Sequence, residues 1–397
     1  MKILIITPDV PFPKYKNGRA TTILSIIEHW AKHHEIILHS EEEFNDESLR
    51  HFDNIGVTCL KCQDSPSKKS FLLDIKHLFR PRNTYSYSYF LNKNIVLRNQ
   101  DLIILVGFES VFYIDTINSI SPTSPIVFFE IDCLSLLYKQ YYLASRISFK
   151  KLYYLSQYLL VAKFEELYYS KVSKVMFVSS ADRLHCQSQS HKNSVNKFAS
   201  INNGVDLTNA VWKNDLQSKM INVCFSGNFA YEPNRVAANF ILDEILPCSF
   251  NLLPNIVFHF VGINPSDELL RAKQIYPSQL IVSGYVPDIE DYISGMDIYI
   301  SPLFLGTGMK NKILQAMNIG IPIICSSISV DGICEMEDSS TCLILDSKNG
   351  KSWVDSIQSL YKDEHKCSAF SINSMSIISR SYRWDLISEK FLKLTEV

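Results

Sequence analysis

The chain has 397 residues, 46% of them hydrophobic and 20% charged, with a formal net charge of −2. That length suits two domains, each able to bury a full core, and excludes disordered and fibrous classes. The near-neutral balance excludes a surface built for nucleic acid, which needs a strongly basic face.

Residues 2–7 are a short continuous apolar run that stops at Pro8, the pattern of a buried parallel strand. A loop carrying Pro8, Pro11, Pro13 and Gly18 follows, then helical spacing over 21–32 and a strand over 35–39. This strand–loop–helix–strand order opens a doubly wound α/β domain. Further strands are expected at 101–106, 125–129 and 175–178, the last leading into a helix over 179–187 with Ser179 or Ser180 as its N-cap. The Asn202-Asn203-Gly204 cluster reads as a turn, and the polar stretch 207–220 after it marks the domain boundary.

A second α/β series then begins. Strands are expected at 221–226, 256–262, 280–284, 298–301 and 321–325. Helices are expected at 234–246, 288–295, 310–319 and 352–362, with a last amphipathic helix over 381–394. The domains are therefore drawn as 1–205 and 206–380. No repeat is visible, which excludes a solenoid.

Of the ten cysteines, Cys224 and Cys325 sit in apolar runs, the setting of reduced thiols that act as small hydrophobes. Cys59 and Cys62 form a CxxC without a second pair or a histidine cluster, so no metal site is expected. The cysteine usage points to the cytoplasm. The N-terminal apolar run is too short for a signal peptide, and no run reaches the ~18 residues of a membrane span.

The segment 301–326 carries the chemistry. A strand ends at Pro302, a loop places Gly306 and Gly308 around Thr307, and a helix opens with Lys310 and Lys312 in its first turns. Loop amides, a helix N-terminus and two cations suit a diphosphate. The competing reading is a glycine turn before a basic helix face, although lysines early in a helix oppose its dipole.

Here the segment resembles the donor-site signature of the family 4 retaining glycosyltransferases of the GT-B fold. The matching residues are Pro302-Leu303, Gly306, Gly308, Lys312, Leu314, Ala316-Met317, Gly320 and Pro322. Asn203–Asp206, 227–234 and 284–288 resemble other segments of that family. The resemblance implies two Rossmann-like domains facing a central cleft, with a C-terminal helix, 381–397, crossing back to the N-terminal domain. It implies an acceptor domain at the N-terminus and a donor domain at the C-terminus. It also implies transfer from a nucleotide-diphosphate sugar to a glycan or lipid-linked acceptor with retained configuration, without a cofactor or metal. Surface polysaccharide, capsule or lipopolysaccharide, is the expected product.

The family's two donor-site glutamates fall on Thr307 and Gln315, and Gln315 can still exchange hydrogen bonds with ribose hydroxyls. Met309 belongs to the same loop. Asn228 and Arg235 flank the loop after the first C-domain strand, where Arg235 would meet the diphosphate. Val286, Pro287 and Asp288 lie where the family seats the base. Lys310 and Lys312 would stabilise charge on the leaving phosphate. On the acceptor side the resemblance points to Gly18 and Arg19 in the first loop, and to Glu130 and Asp132 at the end of the strand 126–129. Asp132 would orient a sugar hydroxyl, or else cap the next helix.

Residues 68–82 and 139–174 combine lysine and arginine with aromatic residues. They are read as basic amphipathic segments able to touch the inner face of a membrane, or as ordinary solvated helices. Two other functions stay open: a degenerate accessory protein that binds nucleotide sugar or glycan, favoured by Thr307 and Gln315, and a sugar-nucleotide epimerase. A dehydrogenase is disfavoured because no GxGxxG follows the first strand.

Overall fold

In a computed structural model, residues 1–14, 16–60, 99–189, 195–213 and 220–395 are described. The chain divides into two compact units. One runs to Asn203 and takes in the stretch from Trp384 onward; the other is Gly204–Arg383.

The first unit holds β1 (Lys2–Thr7), β2 (Glu35–Ser40), β3 (Val57–Leu60), β4 (Leu102–Val106), β5 (Ile126–Ile131), β6 (Lys174–Phe177) and β7 (Phe198–Ser200). They form one sheet in the order β3-β2-β1-β4-β5-β6-β7, parallel at each pairing. β1, β2, β4 and β5 are almost wholly buried, as strands covered by helices on both faces must be. The helices are α1 (Gly18–Trp30), α2 (Asp46–Asn54), α3 (Ile114–Ile120), α4 (Leu134–Ala144), α5 (Phe149–Tyr169) and α6 (Ser180–Gln189). Asn17 caps α1 by accepting from Ala20 N at 2.7 Å, and Ser179 Oγ accepts from Asp182 N at 3.2 Å at the start of α6.

The second unit holds β8 (Ile221–Ser226), β9 (Ile256–Val261), β10 (Leu280–Gly284), β11 (Ile298–Ser301), β12 (Ile323–Cys325) and β13 (Leu343–Ile344). Their order is β10-β9-β8-β11-β12-β13, again parallel. Its helices are α7 (Glu232–Phe240), α8 (Leu246–Leu252), α9 (Asp267–Ile275), α10 (Ile289–Ser294), α11 (Asn311–Ile319), α12 (Gly350–Tyr361) and α13 (Glu364–Ser381). The helix expected over 234–246 starts earlier, with Pro233 in its first turn, and passes through a wide π turn at Ile241–Ile245. Pro247 is the physical reason: it lacks the N–H that a regular helix needs there, and the wider turn accommodates it.

The final helix expected over 381–394 is present as one helix, and a separate helix, α13, precedes it where none was expected. α13 belongs to the second unit, and α14 (Trp384–Thr395) to the first. α14 packs on α1, where Trp30 Nε1 donates to Ser388 O at 3.0 Å and its ring meets Phe391 edge-on at 5.3 Å. Each sheet reverses its winding beside its first strand, between β1 and β4 and between β8 and β11. Loops leaving the carboxyl ends of strands at such a reversal part from each other and leave room for a ligand.

Candidate functional site

In the second unit the loops leaving β8 and β11 converge. Gly227 has φ +155 and Gly262 φ +137; a Cβ on Gly262 would stand 2.1 Å from the Gly227 carbonyl oxygen. Only glycine permits that close approach of two strand ends. A Cβ on Gly227 would meet the Asn234 amide at 2.7 Å and Lys312 Nζ at 3.0 Å. Lys312 Nζ donates to Asn234 Oδ1 at 2.6 Å, and Asn234 Nδ2 donates to Asn228 O at 2.9 Å. The Lys312 ammonium also lies 4.4 Å from the centre of the buried Phe225 ring. Burial, with Lys310 nearby, brings the Lys312 pKa down to about 7.

Across from that lysine, Gly306 (φ +128) and Gly308 (φ +68) shape the loop before α11. Lys310 is the N-cap residue of α11, and its Nζ donates to the carbonyls of Thr307 at 3.0 Å and Gly308 at 2.5 Å. Thr307 and Met309 are buried, and the Thr307 hydroxyl has no hydrogen-bond partner. Gln315 is half-buried one turn after Lys312, so both share a face of α11. Gly320, at φ +76, ends the helix with its N–H on Ala316 and Met317 carbonyls.

The remaining donor-side residues are placed less centrally. Asn228 is exposed, its Oδ1 accepting from Ala230 N at 3.0 Å and Asn264 Nδ2 at 3.1 Å. Arg235 pairs with Glu232 on its own helix, so its guanidinium is engaged there. Val286 is half-buried and Pro287 exposed, just after Gly284 (φ +70). Asp288 caps α10 by accepting from Asp291 N at 2.9 Å.

In the first unit, Arg19 is held by Asp9 at 2.8 Å and Glu109 at 2.9 Å, bridging the loops that follow β1 and β4. Gly18 is exposed at the first turn of α1. Asp132 is exposed and within electrostatic reach of Arg19. The residue before it, Ile131, has φ +73, and Asp132 N donates back to Glu130 O at 3.0 Å. That is a γ-type turn with a β-branched centre, a strained conformation that re-aims the chain at the bulged end of β5. The cap of α4 is Cys133, whose Sγ accepts from Leu136 N at 3.4 Å, so Asp132 does not serve as that cap.

Sequence reasoning missed Glu41 in this unit. It follows β2, and burial raises its carboxyl pKa to about 7. The signal was available: Glu41, Glu42 and Glu43 stand directly after an apolar strand.

Glu130 does not face the acceptor side. It lies inside the core of the first unit, where Tyr169 OH donates to it, and burial beside Glu165 raises its pKa. It is the last-but-one residue of β5, so its side chain still alternates into the layer between sheet and helices. Ser135 N donates to Glu165 at 3.0 Å, and the Cys133 and Cys186 sulfurs are 3.1 Å apart beside them. Among the described residues, Cys133, Glu165 and Cys186 are the one group whose donor atoms, within 4.8 Å of each other, could ligate a metal ion. Protonated and hydrogen-bonded, the same cluster is satisfied without one. The basic segment 68–82 and Cys62 lie outside the described residues, while 139–174 falls on α4, α5 and the start of β6. No helix among the described residues is long and apolar enough to cross a membrane.

Residues 221–363 match the family model for Glycosyl transferases group 1. The fold is that of the GT-B glycosyltransferases. Alr3699/HepE of Anabaena, solved with UDP and glucose, superposes with a TM-score of 0.69 at 13% identity over 100% of both chains. Sucrose-phosphate synthase of Thermosynechococcus elongatus gives 0.71 at 13% identity, over 99% of this chain and 98% of that one. A variant of S. aureus TarM, solved with fondaparinux, alpha-GlcNAc-glycerol and UDP, gives 0.70 at 13% identity over 100% of both. In sequence, the chain is 23% identical over 339 residues to an uncharacterized 44.6 kDa protein in the cps region of Klebsiella pneumoniae, covering 83% of this chain and 84% of that protein. Family match and fold together support a glycosyltransferase of the GT-B type.

Proposed function

We propose that this protein transfers a sugar from a nucleoside-diphosphate sugar to a glycan or lipid-linked acceptor, with retention of anomeric configuration, as a family 4 enzyme. The observation that carries the reading is the convergence of Lys312, Lys310, Gly227 and the Gly306–Gly308 loop at the winding reversal of the second sheet. Two ammonium groups and the loop amides oppose the charge that grows on the departing diphosphate, and do so without a metal ion. Gln315, on the Lys312 face, reaches for the ribose hydroxyls, and residues 286–288 seat the base.

The complexes of HepE and TarM with UDP favour a uridine nucleotide as donor. The cps-region relative favours capsule or a related surface polysaccharide as the product, made at the cytoplasmic side. The first unit takes the acceptor, with Asp132 and the Arg19 cluster at its carboxyl ends.

A thermal-shift panel of UDP, GDP, CDP and ADP sugars tests this, because a ligand at 100 times its Kd adds about 2.7 kcal/mol. Stabilisation by one nucleotide class, lost in Lys310→Ala/Lys312→Ala, is the expected result; proton NMR of the product then reads the anomeric outcome. Stabilisation without turnover would favour the accessory-protein reading that Thr307 and Gln315 raise, and no stabilisation by any sugar nucleotide would reject the donor site.

A further inference from the structure

α4 and α5 form a helical hairpin whose tip, residues 145–149, carries two almost bare apolar side chains. Ile147 is 97% exposed and Phe149 93%, above the other exposed large hydrophobic residues among those described. Leu143 and Leu152 flank them, also exposed. Ordinary surface apolar residues are scattered; these are contiguous and sit at the end of a rigid lever.

The lever is stiff because its two helices share an aromatic seam. Tyr141 meets Tyr154 with ring centres 5.1 Å apart, and Tyr138 packs against both. Lys150 lies over the Tyr154 ring of that seam at 5.6 Å, and Lys151 over Tyr142 at 5.0 Å.

The charge is one-signed. From Cys133 to Phe164 there are five cations, Lys139, Arg146, Lys150, Lys151 and Lys163, and no aspartate or glutamate, in a chain whose net charge is −2. An apolar tip ringed by cations, with tyrosines behind it, matches the layering of a bilayer surface: acyl boundary, anionic headgroups, interfacial aromatics. A protein partner fits it less well. Such contacts need about 800 Å² per side and are poor in lysine at their centre, whereas this tip offers four apolar side chains amid lysines.

We infer that the α4–α5 hairpin docks on an anionic lipid surface, with Ile147 and Phe149 inserted and Arg146, Lys150 and Lys151 on the headgroups. The docking is independent of the donor-site reading.

Flotation with vesicles of phosphatidylcholine alone, and of phosphatidylcholine mixed with phosphatidylglycerol, tests it on the full chain. The wild type is expected to float with the mixed vesicles only and to be released by salt. Lys150→Glu/Lys151→Glu and, separately, Ile147→Ser/Phe149→Ser are each expected to weaken partitioning about tenfold or more. Both pairs are at the surface, so melting temperature and nucleotide-induced stabilisation should stay at wild-type values, which separates failed docking from failed folding or a failed donor site. Absence of flotation by folded wild type overturns the inference, as does flotation that both double variants retain. So does a dimer in light scattering that Phe149→Ser dissolves, which would assign the tip to a second copy of the chain.

Discussion

Lys312 and Asn234, 78 residues apart in sequence, meet through a 2.6 Å hydrogen bond from Nζ to Oδ1. The same asparagine donates through Nδ2 to Asn228 O at 2.9 Å, so its amide is fixed at both ends and ties α11 to the loop after β8. The lysine is thereby aimed at the space over Gly227, where a Cβ would come within 3.0 Å of Nζ. Replacing it by methionine keeps the stem and removes the charge. Lys312→Met should weaken UDP-sugar binding by at least about tenfold, since charge-assisted hydrogen bonds contribute roughly 1.5–3 kcal/mol. Stability without ligand should hold or rise, because a half-buried ammonium is removed. Calorimetric titration measures the affinity and thermal unfolding without ligand the stability, and unchanged affinity would remove Lys312 from the donor site.

Donor binding should also depend on pH through this group. Burial brings the Lys312 pKa to about 7, so the ammonium is formed below that pH and lost above it. A bound diphosphate favours the ammonium, which raises the pKa in the complex. Affinity is therefore full below pH 7 and falls as pH rises through it, by up to about tenfold per unit until the pKa of the complex is reached. Titrations at pH 8 in two buffers of different ionisation enthalpy should show proton uptake on binding, and Lys312→Met should abolish it. Proton uptake that persists in the variant would assign the linkage to another group.

Glu41 gives the first unit a pH dependence of its own. Its carboxyl is raised from an ordinary value of 4.5 to about 7, mainly by burial and partly by Glu109. With the folded pKa above the unfolded one, the folded state holds the proton more tightly. Stability is then full below pH 4.5 and declines as pH rises through 7. The span is roughly 2–3 kcal/mol for a shift of this size in a mostly buried group. Glu41→Gln should flatten this part of the denaturation profile relative to wild type. Parallel profiles for the two proteins would show that Glu41 ionises without a penalty.

What the sequence made legible follows from where the physics is local. Gly306, Gly308, Lys310 and Lys312 lie within one strand–loop–helix turn, so spacing alone placed them beside a common space. Gly262 escaped notice because its constraint is non-local: the carbonyl it must clear belongs to Gly227 on the neighbouring strand. Glu130 and Asp132 are two residues apart and were read alike. The positive φ of Ile131 separates them, leaving one in the core and turning the other outward, and no periodicity reports a backbone turn of that kind. Arg235 was read by charge, whereas its partner Glu232 lies one helical turn earlier and engages it first. The hairpin of α4 and α5 was legible as basic and aromatic, but which of its side chains stand clear at the tip required the fold.

Thr307 stands where the resembling family carries a carboxylate, and its hydroxyl is buried with no partner. An unsatisfied buried hydroxyl costs about 1–3 kcal/mol, a cost that valine would not carry. The two shapes are nearly identical, so Thr307→Val isolates the oxygen. If the hydroxyl is kept for the donor, the variant should gain about 1 kcal/mol of stability without ligand and lose about fivefold or more in sugar-nucleotide affinity, the size of one neutral hydrogen bond. Unfolding curves with and without UDP-sugar read the two effects separately. A variant more stable in both conditions, with affinity intact, would make Thr307 a packing residue and shift sugar recognition to Gln315.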